Sequence, residues 1–163
     1  MSEVDITQVR AATDIAAVRE LFREYAAAIG VDLEYQGFSA ELGALPGEYA
    51  PPSGELLLAR VNGEVAGCVA LRALDHSTLE MKRLYVRPDR RGTGLGKRLV
   101  AAAIALARQR GCAELRLDTL ASMVSAQTLY RTLGFSEIAP YGQEFLPGTR
   151  FYALPLGARG ARP

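Results

Sequence analysis

The sequence predicts an α/β fold built on one mixed sheet with helices on both faces, its elements running βααβββαβαββ. Three observations carry that expectation. Short apolar runs at a period of two are interleaved with longer stretches whose apolar residues recur at a helical period. Asn62-Gly63, between Leu56–Val61 and Val65–Arg72, marks a tight hairpin, so those two strands are antiparallel. A helix-forming stretch, Gly94–Arg110, joins the strand Leu79–Arg87 to the strand Glu114–Thr119, and such a crossover makes that pair parallel.

The remaining elements follow in order. Val4–Val9 alternates and opens the sheet. Thr13 is the expected N-cap of a helix whose stripe is Ile15, Val18, Leu21, Phe22 and Tyr25, ending near Gly30. Tyr35, Phe38, Leu42 and Leu45 predict a second, weaker helix over Leu33–Leu45. Pro46-Gly47 and Pro51-Pro52-Ser53-Gly54 mark a loop, long enough to cover a pocket. Glu80–Val86 adds a third strand to the meander. Leu95, Leu99, Ala102, Ala103 and Leu106 give the crossover helix its buried face, and Gly111 stops it. Ser122–Leu133 is a helix closed by Gly134, and Phe135–Ala139 and Thr149–Leu156 finish the sheet. Residues 1–156 make one domain, and Gly157–Pro163 reads as a frayed tail.

Composition narrows the function classes. A chain of 163 residues, 49% hydrophobic and 23% charged, can bury a core of its own. Its net charge of +1 gives no general attraction to nucleic acid or an anionic membrane. Met1-Ser2-Glu3-Val4-Asp5 lacks the basic and apolar regions of a signal peptide, and a cytoplasmic protein is expected. Cys68 and Cys112 read as buried free thiols, and His76 as a surface turn residue. No His/Cys/Asp/Glu cluster has metal-ligand spacing, so no metal is expected. A homodimer is left open. The charge is uneven, however. Lys82 to Arg98 is strongly basic, with Asp89 its one acid. Tyr25 to Ala59 has no Lys or Arg but carries Asp32, Glu34, Glu41, Glu48 and Glu55. One half suits an anionic ligand; the other suits a cationic one or is a solvated acidic surface.

Arg91-Gly92-Thr93-Gly94-Leu95-Gly96-Lys97 lies where the strand Leu79–Arg87 hands over to the crossover helix. Glycines let the backbone turn tightly and approach a ligand closely. The helix opening behind them offers unpaired N–H groups and a positive dipole end, which favour phosphate. A P-loop is excluded, because Arg91 stands five residues before Gly96 and Arg98 follows Lys97. A dinucleotide fingerprint is excluded too, since its third glycine would fall at Lys97. What remains is R-x-x-G-x-G, which reads as a pyrophosphate cradle of another kind or as a plain basic loop.

Glu80-Met81-Lys82-Arg83-Leu84-Tyr85-Val86-Arg87-Pro88 followed by Arg91-Gly92-Thr93-Gly94-Leu95-Gly96 resembles the acetyl-coenzyme A motif of the GNAT superfamily of N-acetyltransferases. Ala126-Gln127-Thr128-Leu129-Tyr130-Arg131-Thr132-Leu133-Gly134-Phe135 resembles its second hallmark, A-x-x-L-Y-x-x-L-G-F. The resemblance implies that the two parallel strands splay apart and admit the pantetheine arm of acetyl-CoA. It places cofactor contacts at Leu84, Tyr85 and Val86, and along Arg91, Gly92, Thr93, Gly94, Leu95, Gly96 and Lys97. Met123 stands where many members carry Asn, which removes an amide contact from that turn.

Acetyl transfer to an amine poses two proton problems. An alkylammonium of pKa near 10.4 is only about 0.1% neutral at pH 7.4, a deficit of about 4 kcal/mol. The departing thiolate leaves more easily if an acid protonates it. The resemblance makes Tyr130 that acid, with core packing as the alternative. Glu80 is the candidate base, or else a strand-start charge in a salt bridge; alternation sets it on the face opposite Met81 and Arg83. Asp118 is a weaker candidate for the same proton. A strand N–H near Leu84 can stabilise the oxyanion. Tyr25, Phe38 and Tyr49, with Glu80 and Asp118, are the expected acceptor contacts, joined by Tyr35, Tyr141 and Phe151, unless these aromatics are core. The expected activity is acetyl-CoA-dependent acetylation of a small primary amine. The rivals are a protein N-terminal or lysine acetyltransferase, or a non-catalytic coenzyme A-binding module.

Overall fold

The computed structural model describes residues 2–142 and 144–157, so most of the expected tail, 158–163, lies outside the described residues. Among the described residues seven strands form one sheet in the order β1-β2-β3-β4-β5-β7-β6. They are β1 (Val4–Gln8), β2 (Glu55–Val61), β3 (Glu64–Ala73), β4 (Thr78–Val86), β5 (Glu114–Thr119), β6 (Ser136–Ile138) and β7 (Arg150–Pro155). The helices are α1 (Ala12–Ile29), α2 (Phe38–Ala44), α3 (Leu95–Gln109) and α4 (Val124–Thr132). The predicted element order and the mixed sheet are therefore what is observed. All neighbours are antiparallel except β4 and β5, which run parallel on either side of the α3 crossover.

Local differences have local causes. α1 is capped at Ala11 rather than Thr13, with no side-chain cap bond, and ends at Gly30 in the left-handed conformation. The single helix expected over Leu33–Leu45 is broken by Gly37 at φ 73°, into a 3₁₀ turn (Leu33–Gln36) and α2. Asn62 and Gly63 both take positive φ, 51° and 82°, as a type I′ hairpin turn requires.

Each face of the sheet has its own core. Leu57, Ala59, Val69, Leu71, Leu115 and Leu117 pack under α3, with Tyr130 of α4 in the same cluster. Leu56, Leu58, Cys68 and Ala70 point the other way, against Val18, Leu21 and Phe22 of α1 and Phe38 of α2. The period-two alternation of β2 and β3 thus feeds both cores at once. Cys68 is buried and Cys112 half-buried, and burial pushes both thiols up, so neither is activated.

Glu55 closes the far end of the domain. Its carboxylate is 0% exposed and accepts from Arg10 at 2.7 and 3.0 Å and from Arg110 at 3.0 Å. One buried charge therefore ties the β1–α1 junction, β2 and the end of α3. Removing one partner of a buried ion pair costs more than removing an exposed one. Glu55→Ala is expected to lose about 3 kcal/mol or more in urea unfolding. Arg10→Ala, whose guanidinium is half exposed, is expected to lose less.

Candidate active site

Strands β4 and β5 are joined only at Thr78↔Glu114, Leu79↔Leu115 and Glu80↔Arg116. Beyond Glu80 they diverge. The β4 edge from Met81 to Val86 faces a gap rather than a neighbouring strand. Arg87 N–H bonds Ala66 O of β3, so by alternation Leu84 and Val86 turn their peptide groups toward the open edge. Tyr85 turns its own toward β3 and lines the adjoining groove with its ring.

A β-bulge sits at the point of divergence. Cys68 pairs with Tyr85 and Ala70 with Lys82, so Arg83 and Leu84 together oppose Val69. Arg83 is left-handed, φ 61°, an unusual state for a side chain of its size. The extra residue shifts the alternation. Lys82 and Arg83 both face α1 and α2, on the same side as Glu80, so the expectation that Arg83 opposes Glu80 does not hold. The Arg83 guanidinium is buried, donates to both Glu41 oxygens at 2.9 Å and to Gln36 at 2.8 Å, and lies over the rings of Tyr25 and Phe38.

At the end of β4 the chain turns through a 3₁₀ turn, Pro88–Arg90, into the glycine loop. Gly92 and Gly94 have φ of 78° and 85°, and a Cβ on either would meet no protein atom within 4 Å. The backbone N–H groups from Gly92 to Lys97 find no acceptor among the described residues; the first helical bond is Arg98 N–H to Gly94 O. Leu95 is buried in the core, so only its backbone belongs to this loop. Thr93 donates its hydroxyl to Arg90 O. Arg91 is anchored through Nε to Val86 O at 2.9 Å and stacks over Tyr85. An open groove of about 600 Å³ runs from Arg91 and Gly96 past Leu84 to Met123 and Ala126. Donors, positive charge, open space above two glycines and an unpaired strand edge fit a pyrophosphate followed by a pantetheine arm.

Tyr130 projects from α4 into the gap beside Leu84 and Asp118, with its ring against Phe135 and Tyr152. Its hydroxyl bonds no described residue, yet it is not sealed in protein, and so it opens onto the gap. Burial first, then the nearby Tyr25 and Asp118, raises its pKa above the ordinary phenol value, so the proton stays on. Met123 accepts from Thr119 Oγ1 at 3.4 Å through its thioether, which is what occupies the turn in place of an amide.

A second cavity of about 290 Å³ opens from the gap on the α2 side of the sheet, lined by Tyr35, Glu80, Lys82, Asp118, Tyr141 and Phe151 among others. Glu80 is buried, with Oε1 accepting from Arg72 Nε and Oε2 from the Tyr141 hydroxyl, each at 2.8 Å. Asp118 has no hydrogen bond among the described residues and lines both the gap and this cavity, and burial raises its pKa. Lys82 does the same from β4, and burial lowers its pKa.

The other acceptor expectations divide. Tyr25 lines the gap and the groove. Phe38 and Tyr49 instead belong to the core under α1, Phe38 beneath Arg83 and Tyr49 edge-on to Phe22. On the α2 side the cavity is walled by Tyr35, Gln36 and Glu41 and, from the Pro46–Gly54 loop, by Glu48; the far end of that loop is held at the Pro52 and Gly54 carbonyls by Arg110. The acidic stretch is engaged as well. Asp32 caps the 3₁₀ turn, Glu34 accepts from Ser39, Glu41 pairs with Arg83, Glu48 with Arg72, and Glu55 with Arg10 and Arg110. Sequence reading missed Lys82 and Arg72 as cavity residues. The i, i+2 spacing of Glu80 and Lys82 was the available signal.

The profile of the "Acetyltransferase (GNAT) family" matches residues 15–135. An uncharacterized N-acetyltransferase of Schizosaccharomyces pombe is 35% identical over 157 residues, covering 95% of this chain and 96% of its own. A Streptococcus agalactiae acetyltransferase superposes with a TM-score of 0.77 at 21% identity, over 94% of this chain and 98% of its own. A Salmonella typhimurium protein solved with its cofactor acetyl-CoA superposes with a TM-score of 0.69 at 24% identity, over 97% of this chain and 96% of its own. The two structures share the fold; the family profile and the yeast relative extend the likeness to sequence along almost the whole chain. This protein belongs to the acetyltransferase (GNAT) family and is an N-acetyltransferase.

Proposed function

We propose that the protein acetylates the primary amine of a small molecule by direct attack on acetyl-CoA, with Asp118 taking the amine proton and Tyr130 protonating the departing thiolate. Acetyl-CoA supplies the activated thioester. The backbone from Gly92 to Lys97, with Arg91 and Lys97, would hold its pyrophosphate. The peptide groups of Leu84 and Val86 would pair with its pantetheine arm, and the Leu84 N–H would donate to the carbonyl oxygen as that oxygen gains charge.

The observation that carries the reading is that Tyr130, Leu84 and Asp118 line one gap, and that Asp118 is also in the wall of the adjoining cavity. An acid, an oxyanion donor and a base thus meet where donor and acceptor would meet. Asp118 is preferred to Glu80 as base because both Glu80 oxygens already accept hydrogen bonds. Its raised pKa brings it closer to that of the ammonium it must deprotonate. Glu80 then acts as a positioning residue, fixing Tyr141 and Arg72 in the cavity wall. A cavity of about 290 Å³ walled on the α2 side by Tyr35, Gln36, Glu41 and Glu48 suits a small molecule better than a protein chain.

Release of free thiol from acetyl-CoA across a panel of small amines and peptides tests the reading. Turnover of small amines is expected, and turnover of peptides alone would overturn it.

Gly94→Asp is expected to abolish acetyl-CoA binding in calorimetric titration, since a side chain and a negative charge would enter the space above the loop. Unchanged affinity in a folded variant would remove the loop from the site. Tyr130→Phe and Asp118→Asn are each expected to lower kcat about 10²-fold or more while acetyl-CoA affinity is kept. A Glu80→Gln variant that lost more than Asp118→Asn would reverse the assignment of the base.

A further inference from the structure

Most charges around the acceptor cavity are already neutralised by protein partners. Arg72 donates to Glu80 at 2.8 Å and to Glu48 at 3.0 Å. Glu41 takes the Arg83 fork. Glu144 is exposed at the rim, where water solvates it. Two charges are different. The Lys82 side chain is only 10% exposed, and its nearest carboxylate oxygen, Glu80 Oε1, is 3.9 Å away and already accepts from Arg72. Asp118 accepts no hydrogen bond among the described residues and makes no direct ion pair with Lys82. A buried charge without a hydrogen-bonded partner is unfavourable. The cavity therefore presents one cation and one anion, each short of a partner.

We infer that the acceptor is a free α-amino acid with an uncharged side chain, its carboxylate bound by Lys82 and its amine by Asp118. This rests on the proposed function and names the acceptor class for that same site. Three points carry it. Lys82 and Asp118 attract each other through space but neither has a hydrogen-bonded partner among the described residues, so a zwitterion can satisfy both, whereas a simple amine would leave Lys82 without an acceptor. Both residues line the gap as well as the cavity, so the two charged groups of the ligand must lie close together. The rest of the cavity offers Tyr35, Gln36, Leu74, Tyr141 and Phe151, which suit a side chain of mixed polarity without charge. Burial moves Lys82 downward and Asp118 upward and outweighs the attraction between them, and the two ends of a zwitterion would oppose both shifts. The engaged carboxylates of the acidic stretch remove the argument for a purely cationic acceptor.

The reaction balances without a further reagent. The ammonium gives one proton to Asp118 and its nitrogen bonds to the acetyl carbon. As the carbon–sulfur bond breaks, Tyr130 gives its proton to the thiolate, and the second proton shed by the nitrogen restores Tyr130, so that the products are the amide, the free thiol and the proton held by Asp118.

The test compares each common amino acid with its α-carboxamide and its decarboxylated amine in the thiol-release assay. The carboxamide keeps size and shape but removes the negative charge, and its amine is less basic, which favours it chemically. A preference for the acid is therefore a binding effect. The parent enzyme is expected to favour at least one uncharged amino acid over its carboxamide by about tenfold or more in kcat/KM. Lys82→Met is expected to erase that preference, chiefly through KM for the acid, and Lys82→Arg to retain it. Thermal melting of both variants separates loss of fold from loss of recognition. If carboxamides or decarboxylated amines react as well as the acids, or if other amines react and no amino acid does, the inference falls while the proposed function stands. Absence of acetyl-CoA binding, or of any thiol release, overturns both.

Discussion

Strand pairing that stops after three residues is the constraint on which this molecule's chemistry depends. β4 and β5 begin as ordinary parallel neighbours, and their separation beyond Glu80 and Arg116 creates the opening that the other site residues surround. Such an edge would normally invite pairing with another chain. Here the bulge at Arg83 and Leu84 twists β4 away, and the Arg83 side chain fixes the bulge from behind. A left-handed conformation in a non-glycine residue costs of order 1–3 kcal/mol. Two charge-assisted bonds to Glu41, one to Gln36 and two aromatic faces offset it.

The bulge also decides which side chains meet. Without the extra residue, Arg83 would face α3 with Met81, and the link between β4 and α2 would not exist. With it, Lys82 and Arg83 both face α1 and α2, while Leu84 returns to the α3 side and Tyr85 to the α1 side. Arg83 serves the architecture, and Lys82 is left at the junction of gap and cavity. On the parallel strand the ordinary alternation of β5 buries Leu115 and Leu117 under α3 and sends Asp118 to the opposite face, toward Lys82. Ordinary alternation in both strands brings Lys82 and Asp118 to one face, and the one-residue irregularity adds Arg83 on that side.

Charge in this protein is read correctly only in pairs. Along the chain, Asp32 to Glu55 is an acidic block that invites a cationic ligand. In the fold, its members hold turns, strand ends and arginines that are distant in sequence. Glu80 is a similar case: a carboxylate on the right strand, beside the cavity, with both oxygens engaged. Asp118, less conspicuous in sequence, accepts no hydrogen bond among the described residues and lines both the gap and the cavity.

The sequence by itself determined the parts governed by neighbours along the chain. Asn62-Gly63 specified its hairpin because only a few residues accept two consecutive positive φ angles. The glycines at 92 and 94 and the helix start behind them specified a tight turn with free N–H groups for the same local reason. The helical crossover between them made β4 and β5 parallel, and the alternation of β2 and β3 predicted a sheet buried on both faces. Only the tertiary structure decided the bulge at Arg83, because register is settled between strands and not within one. It alone placed Phe38 and Tyr49 in the core and left Tyr35, Tyr141 and Phe151 to the cavity, since an aromatic residue's role depends on what packs against it. It alone, too, settled which charges are neutralised, because the partners of Glu41, Glu55 and Glu80 include residues dozens of positions away, and no local pattern carries that information.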